Sequence, residues 1–174
     1  MSGLDNPIGT AFKNNTSIVK VDFKFFTGIT NMTGDPFYGC SALNYVNMPP
    51  NLLTTAEVFE HVYALKKITF HEGYKTASYC LFENVSATNV VLDFPSTLRT
   101  MNGQMARNGG AFKITFVLRG DVGDFGPIKT TGTTIKIYVP DECLSNYQAY
   151  LAGNGNLSKL APLSEYIEKP WDEV

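Results

Sequence analysis

The stretch Phe37-Tyr38-Gly39-Cys40-Ser41-Ala42-Leu43, running on through Asn44-Tyr45-Val46-Asn47-Met48-Pro49, decides the fold. It holds an aromatic anchor, a glycine turn, and a short strand whose apolar residues alternate and stop at a proline. The same frame recurs in both directions along the chain. Phenylalanine stands at Phe12, Phe37, Phe59 and Phe82, with gaps of 25, 22 and 23 residues. Matching offsets carry Ile18, Val21 and Phe23 after Phe12, and Leu65, Ile68 and Phe70 after Phe59. One extra residue enters after Phe82, where the strand carries Leu92 and Phe94 before Pro95. Met105 takes the anchor position of the next unit, whose strand holds Phe116 and Leu118, and a last strand places Ile137 and Val139 before Pro140.

A fixed period of this size marks a solenoid of stacked coils. The first inward residue of each strand is Val21, Val46, Ile68, Leu92, Phe116 and Ile137, at steps of 25, 22, 24, 24 and 21. A lone coil cannot bury its apolar side, whereas stacked coils share one continuous core. Glycines between the strands, such as Gly34, Gly39, Gly73, Gly109 and Gly120, supply turns. The sequence therefore predicts a mainly β solenoid of about six coils of 21–25 residues with a C-terminal helical cap. Residues 1–10 form a lead or thin cap, 11–140 the repeats, and 141–174 the cap helix and tail.

The string from Phe37 to Leu43 resembles the Phe-x-Gly-Cys-Ser-x-Leu core of BspA-like leucine-rich repeats, followed by that family's apolar-x-apolar-Pro strand ending. The segment Lys136-Ile137-Tyr138-Val139-Pro140-Asp141-Glu142, with Tyr147 and the later Pro162-Leu163-Ser164-Glu165-Tyr166, is similar to a C-terminal cap of such proteins in gut bacteria. The likeness spans roughly residues 11–166, and the second coil and the cap match best. Val62 and Val85 stand where the motif has its cysteine, so coils three to five depart from it. What the resemblance implies is a binding or adhesion repeat, often carried on secreted or surface proteins.

Composition narrows the function classes. With 44% hydrophobic and 13% aromatic residues, the 174-residue chain has the material for one packed domain rather than disorder. Net charge is −2 with no basic block, which argues against a nucleic-acid partner. No run approaches the roughly 20 apolar residues of a membrane-spanning helix. The start, Met1-Ser2-Gly3-Leu4-Asp5-Asn6-Pro7, has neither a basic segment nor an apolar core like a secretory signal. That shifts the expectation toward a cytoplasmic product or a virion component.

Chemistry is sparse. Cys40, Cys80 and Cys143 are an odd number at wide spacing, expected as buried small apolar residues rather than bridges or zinc ligands. His61 and His71 lie outside any metal-binding spacing and are expected in a turn and at the sheet rim. No nucleophile elbow or phosphate loop occurs, and Asp121 and Asp124 do not fit a calcium loop, so neither an enzyme nor a cofactor is expected. Asn-x-Ser/Thr triplets begin at Asn14, Asn15, Asn31, Asn84 and Asn156 and are expected as polar turns.

The residues between the inward positions then form the candidate binding face. One column reads Lys20, Tyr45, Lys67, Val91, Thr115 and Lys136; the next reads Asp22, Asn47, Thr69, Asp93, Val117 and Tyr138. With His71 and Arg119 at the strand ends, they are expected to be solvent-facing, with Tyr45 and Tyr138 as anchors for a protein or carbohydrate. At the ends of the stack, Asp141 is expected to N-cap a helix carrying Leu144, Tyr147 and Leu151, with Gly153 as its stop. Leu157, Leu160, Leu163 and Tyr166 would fold back over the last coil. The N-terminal edge carries little to cover it, so neighbouring subunits are candidate partners there. Two functions fit: a non-catalytic adhesion or binding module, or a decorating protein of a bacteriophage capsid or tail.

Overall fold

Side chains alternate faces along an extended strand, so a period near 24 residues puts one strand of each coil directly beside the next. The computed structural model describes residues 8–77, 81–83, 85, 89–101, 106–107, 113–122, 124–125, 133–153 and 156–168. Its main sheet is wholly parallel, in the order Lys20–Asp22, Tyr45–Asn47, Lys67–Thr69, Val90–Phe94, Lys113–Leu118, Thr133–Val139 and Leu160–Pro162. The registers reproduce the columns read from the sequence. Val21, Val46, Ile68, Leu92, Phe116 and Ile137 face one another across five successive pairings. A bulge between Ile114 and Thr115 absorbs one residue of the last step. About five turns join the six repeat strands, and the seventh strand comes from the cap rather than from a coil.

Two further parallel ladders complete each coil. One runs through Asn31–Thr33, Thr54–Ala56, Thr76–Ala77, Thr100–Met101 and Asp124–Phe125; the other joins Phe59–Glu60, Phe82–Glu83 and Ala106–Arg107. Their strands are two or three residues long, too short for any alternation to show in the sequence.

The phenylalanine period becomes a ladder of stacked rings. Centroids of Phe12–Phe37, Phe37–Phe59 and Phe59–Phe82 lie 5.4, 5.3 and 5.6 Å apart, with interplanar angles of 14°, 5° and 20°. Each such pair contributes about 0.5–1.5 kcal/mol beyond area burial. A second stack, Phe70 on Phe94 at 4.8 Å and on Tyr74 at 4.4 Å, fills another part of the core. Tyr74 is buried and its hydroxyl shares a 2.6 Å hydrogen bond with Thr55; burial pushes its pKa well above the usual range.

The ring ladder also explains the turn chemistry. Two residues after each of the first three anchors the backbone is left-handed: Asn14, Gly39 and His61 have φ of 62°, 69° and 55°. Two residues before the second and third anchors it is again left-handed, at Asp35 (56°) and Glu57 (52°). Glycine, asparagine, aspartate and histidine adopt this region more readily than other residues. His61 is thus a corner residue. At Gly39 a Cβ would also run into the Asn14 side chain. Cys40 follows it and is buried, with its thiol donating to the Phe12 carbonyl at 2.9 Å, which ties coil to coil. Cys143, expected buried, is only half-buried because it sits at the rim of the cap. Cys80, Met105, Gly103, Gly109 and residues 1–7 and 169–174 lie outside the described residues.

The cap differs in one detail from its expectation. A 3-10 turn spans Asp141–Cys143, and the helix proper runs Leu144–Tyr150 with no side-chain cap. Asp141 instead accepts hydrogen bonds from the Ser164 amide (3.2 Å) and hydroxyl (2.7 Å). Those bonds hold its carboxyl below the usual range. Tyr147 and Leu151 are buried as expected, and Tyr147 donates to the Gly120 carbonyl at 2.9 Å. Gly153, at φ 77°, follows the helix. Of the residues expected to fold back, Leu160 joins the sheet, while Leu157 stays exposed.

Candidate functional site

From Glu165 to Glu168 the chain stays on the body. It crosses the outer face of the main sheet as a strap, Glu165-Tyr166-Ile167-Glu168, and this changes the candidate face. Tyr166 rests on Tyr138 with ring centroids 5.1 Å apart. Burial, with Asp93 and Glu168 nearby, pushes the Tyr166 hydroxyl up to about 12.

Two positions on, Glu168 reaches a charge cluster built from two strands and the residue that follows a third. Arg119 forms a bidentate pair with Asp93, Nε to Oδ1 at 2.7 Å and Nη2 to Oδ2 at 2.9 Å. Lys67 Nζ lies 3.4 Å from Asp93 Oδ2. Glu168 closes the cluster, both of its oxygens 3.2 Å from Arg119 Nη2 and one of them 3.7 Å from Lys67 Nζ. The Asp93 side chain is only 2% exposed, so its charge requires these cations. Hydrogen bonding to Asp93 holds Arg119 above its ordinary range. The Glu168 side chain, by contrast, is 57% exposed.

The expectation of a solvent-facing column is therefore corrected. Tyr45, Lys67, Asp93, Thr115 and Val117 are buried. The cations flanking Tyr45, Lys20 and Lys66, stand 5.4 and 5.6 Å from its ring centre, so the ring is packed rather than displayed. Thr115 donates to Asn89 at 3.4 Å. Val91, Lys136, Tyr138 and Arg119 are half-buried. Asn47 and Thr69 are half-buried nearer the N-terminal end, and Asn47 donates to Asp22 at 2.9 Å. His71 sits at the rim, half-buried, and its Nε2 is enclosed without a hydrogen-bond partner.

Strap and sheet enclose a groove of about 530 Å³, inside the size range of ligand sites. Its floor includes five of the residues expected from the sequence: Tyr45, Lys67, Val91, Thr115 and Tyr138. Asp93 and Arg119 lie beside it through the charge cluster, whereas Asn47, Thr69, His71 and Lys136 do not line it. Column reasoning missed Lys66 and Asn89, which sit just before their strands, and the strap residues themselves. One signal was available: an acidic, tyrosine-bearing tail follows a sheet whose outer columns hold Lys67 and Arg119.

A second charge cluster occupies the phenylalanine edge. Asp35 lies against the Glu60 carboxyl with Glu57 nearby, and burial followed by these like charges pushes Asp35 up to about 6. Its Oδ1 is enclosed with no hydrogen-bond partner. His61 pairs with Glu60 at 3.3 Å and with the Tyr63 hydroxyl at 2.7 Å. Among the described residues no group of three or more His, Cys, Asp or Glu is arranged to hold a metal ion. No helix among them is long and apolar enough to cross a membrane.

Parallel coils with short strands on three sides, an aromatic ladder inside and a groove on the sheet face define a leucine-rich-repeat type of solenoid. Residues 8–113 match, in six copies, the family described as BspA type leucine rich repeat region, and the chain belongs to that family. No curated protein matches the chain.

Proposed function

We propose that the chain is a non-catalytic binding module that receives a protein or carbohydrate partner on the outer face of its main sheet, in the groove beside the strap. The observation that carries this is the groove itself. It brings three tyrosine rings, two lysines and polar Asn89 and Thr115 around a space of about 530 Å³. Aromatic and basic groups in a concave site supply contact area and orientation together. Membership of a repeat family that works by presenting surfaces fits this reading. The test replaces half-buried Val91 by arginine to fill the groove. Cell-surface extracts and glycan and peptide arrays should bind the parent protein and lose at least tenfold in affinity for Val91→Arg at unchanged melting temperature. Equal binding by both proteins would remove the groove from the function.

A second reading, a component of a larger particle such as a phage capsid or tail, draws on the N-terminal edge. Phe25 is 82% exposed there, beside exposed Phe26 and Val19, and among the described residues the edge strand Lys20–Asp22 pairs on one side only. Stacking through that edge predicts concentration-dependent association in sedimentation, abolished by Phe25→Glu with Phe26→Glu. A parent protein that stays monomeric at high concentration ends this reading.

A further inference from the structure

The charge cluster on the sheet face is unbalanced until the strap arrives. Lys67 and Arg119 bring two positive charges to one buried carboxylate, Asp93, and the second negative charge comes from Glu168. Among the described residues, the strap is fastened firmly at its Ser164 end. Asp141 grips Ser164 through two hydrogen bonds, whereas beyond it Ile167 is 83% exposed and Glu168 reaches the cations from the solvent side. Ion pairs this exposed are held weakly and are readily exchanged for another carboxylate. The cations are not: Arg119 is fixed bidentately on Asp93 and the Lys67 side chain is 11% exposed. A preformed cationic pocket therefore lies under a loosely held anion.

We propose that Lys67 and Arg119 form a carboxylate-receiving site for an acidic peptide segment of a partner protein, and that Glu168 occupies this site in cis as a competitor. The occupant is argued from the strap. It is itself a peptide, and it seats an aromatic side chain on Tyr138 and a carboxylate two residues later on Lys67 and Arg119. A partner segment with an aromatic residue and an acidic residue at the same spacing reproduces both contacts and extends into the groove alongside. Tyr45, flanked by Lys20 and Lys66, gives the approach a positive rim. This proposal rests on the sheet-face reading above and adds the chemistry of the partner.

The experiment uses the full chain and a fluorescein-labelled peptide, Leu-Ser-Glu-Tyr-Ile-Glu, read by anisotropy at low salt, with Leu-Ser-Gln-Tyr-Ile-Gln as the neutral control. The acidic peptide should bind at least tenfold tighter than the control and weaken as salt rises. Glu168→Gln, which removes the internal competitor at an exposed position, should tighten the acidic peptide by roughly two- to fivefold, the size of one exposed ion pair. Arg119→Gln should abolish the preference for the acidic peptide. Because that change strips a partner from buried Asp93, Arg119→Lys is measured beside it and should retain part of the preference. Amide exchange across residues 163–168 should rise when the peptide is added, as the strap is displaced.

Equal binding of the two peptides, or unchanged or weaker binding by Glu168→Gln, overturns the carboxylate site. A uronic-acid oligosaccharide that binds tighter than the peptide and is lost in Arg119→Lys overturns the peptide assignment while leaving the sheet face as the binding surface. Peptide binding that survives Val91→Arg overturns both.

Discussion

The two charge clusters come from one geometric cause and have opposite outcomes. A solenoid lays each coil beside the next, so a side chain can reach its own position on the adjacent coil and the residues a few places along from it. On the sheet face this sets Lys67 and Arg119 against Asp93, and opposite signs meet. At the phenylalanine edge it sets Asp35 against Glu60 with Glu57 close by, and like signs meet. The first arrangement satisfies a buried carboxylate, and the second leaves one carboxyl oxygen without a partner. Stacking itself is neutral; the sequence on each rung decides whether it binds or strains.

The contrast can be broken most forcefully at Asp93. Asp93→Ala removes the anion that organises Lys67 and Arg119 and leaves two cations facing each other on a buried face. A loss of about 3 kcal/mol is expected, the low end for breaking a buried ion pair because Glu168 still shields one side. Chemical denaturation of parent and variant measures it, and a change below about 1 kcal/mol would mean that the cluster contributes little.

Relief of the like-charge rung should act in the other direction and less strongly. Asp35→Asn keeps a residue type that tolerates φ 56° and removes the charge. The folded pKa of Asp35 is raised from 3.8 to about 6, so between these values the folded protein holds more protons than the unfolded chain. Stability contributed by this group is therefore greatest below pH 3.8 and is lost as pH rises through about 6. Glu60, Glu57 and Lys13 are the charges acting on it, and His61 sits against Glu60. The variant should be more stable than the parent by about 1 kcal/mol at pH 7.5, after allowance for partial exposure, and equal to it near pH 3.5. Melting curves at both pH values decide this, and a pH-independent difference would contradict it.

The smallest effect belongs to Glu168. Its exposed carboxylate should contribute less than about 0.5 kcal/mol to stability, so Glu168→Gln should melt within a degree or two of the parent. A large drop would make the strap a structural element rather than a displaceable one.

The inward columns were legible because burial demands apolar side chains at a fixed alternation and a fixed period. Val21, Val46, Ile68, Leu92, Phe116 and Ile137 pair as read, even across the bulge at Ile114–Thr115. The phenylalanine anchors were legible for the same reason. The two other ladders were not, because strands as short as Thr76–Ala77 carry no period. The outward columns were read with the correct members but the wrong environment. Tyr45, Lys67, Asp93 and Thr115 are buried although they point away from the core. Local patterning says which face a residue takes, not what lies over that face.

The sequence by itself thus determined the coil, its period and the composition of each column, since these follow from stacking identical backbone units and hiding their apolar sides. Tertiary structure alone decided that the C-terminal strap returns across the sheet. That path depends on Asp141 gripping Ser164, Tyr166 resting on Tyr138 and Glu168 finding Lys67 and Arg119. These contacts join residues 23 to 101 positions apart and each pairing occurs once, so they leave no repeating trace for a reader of the chain.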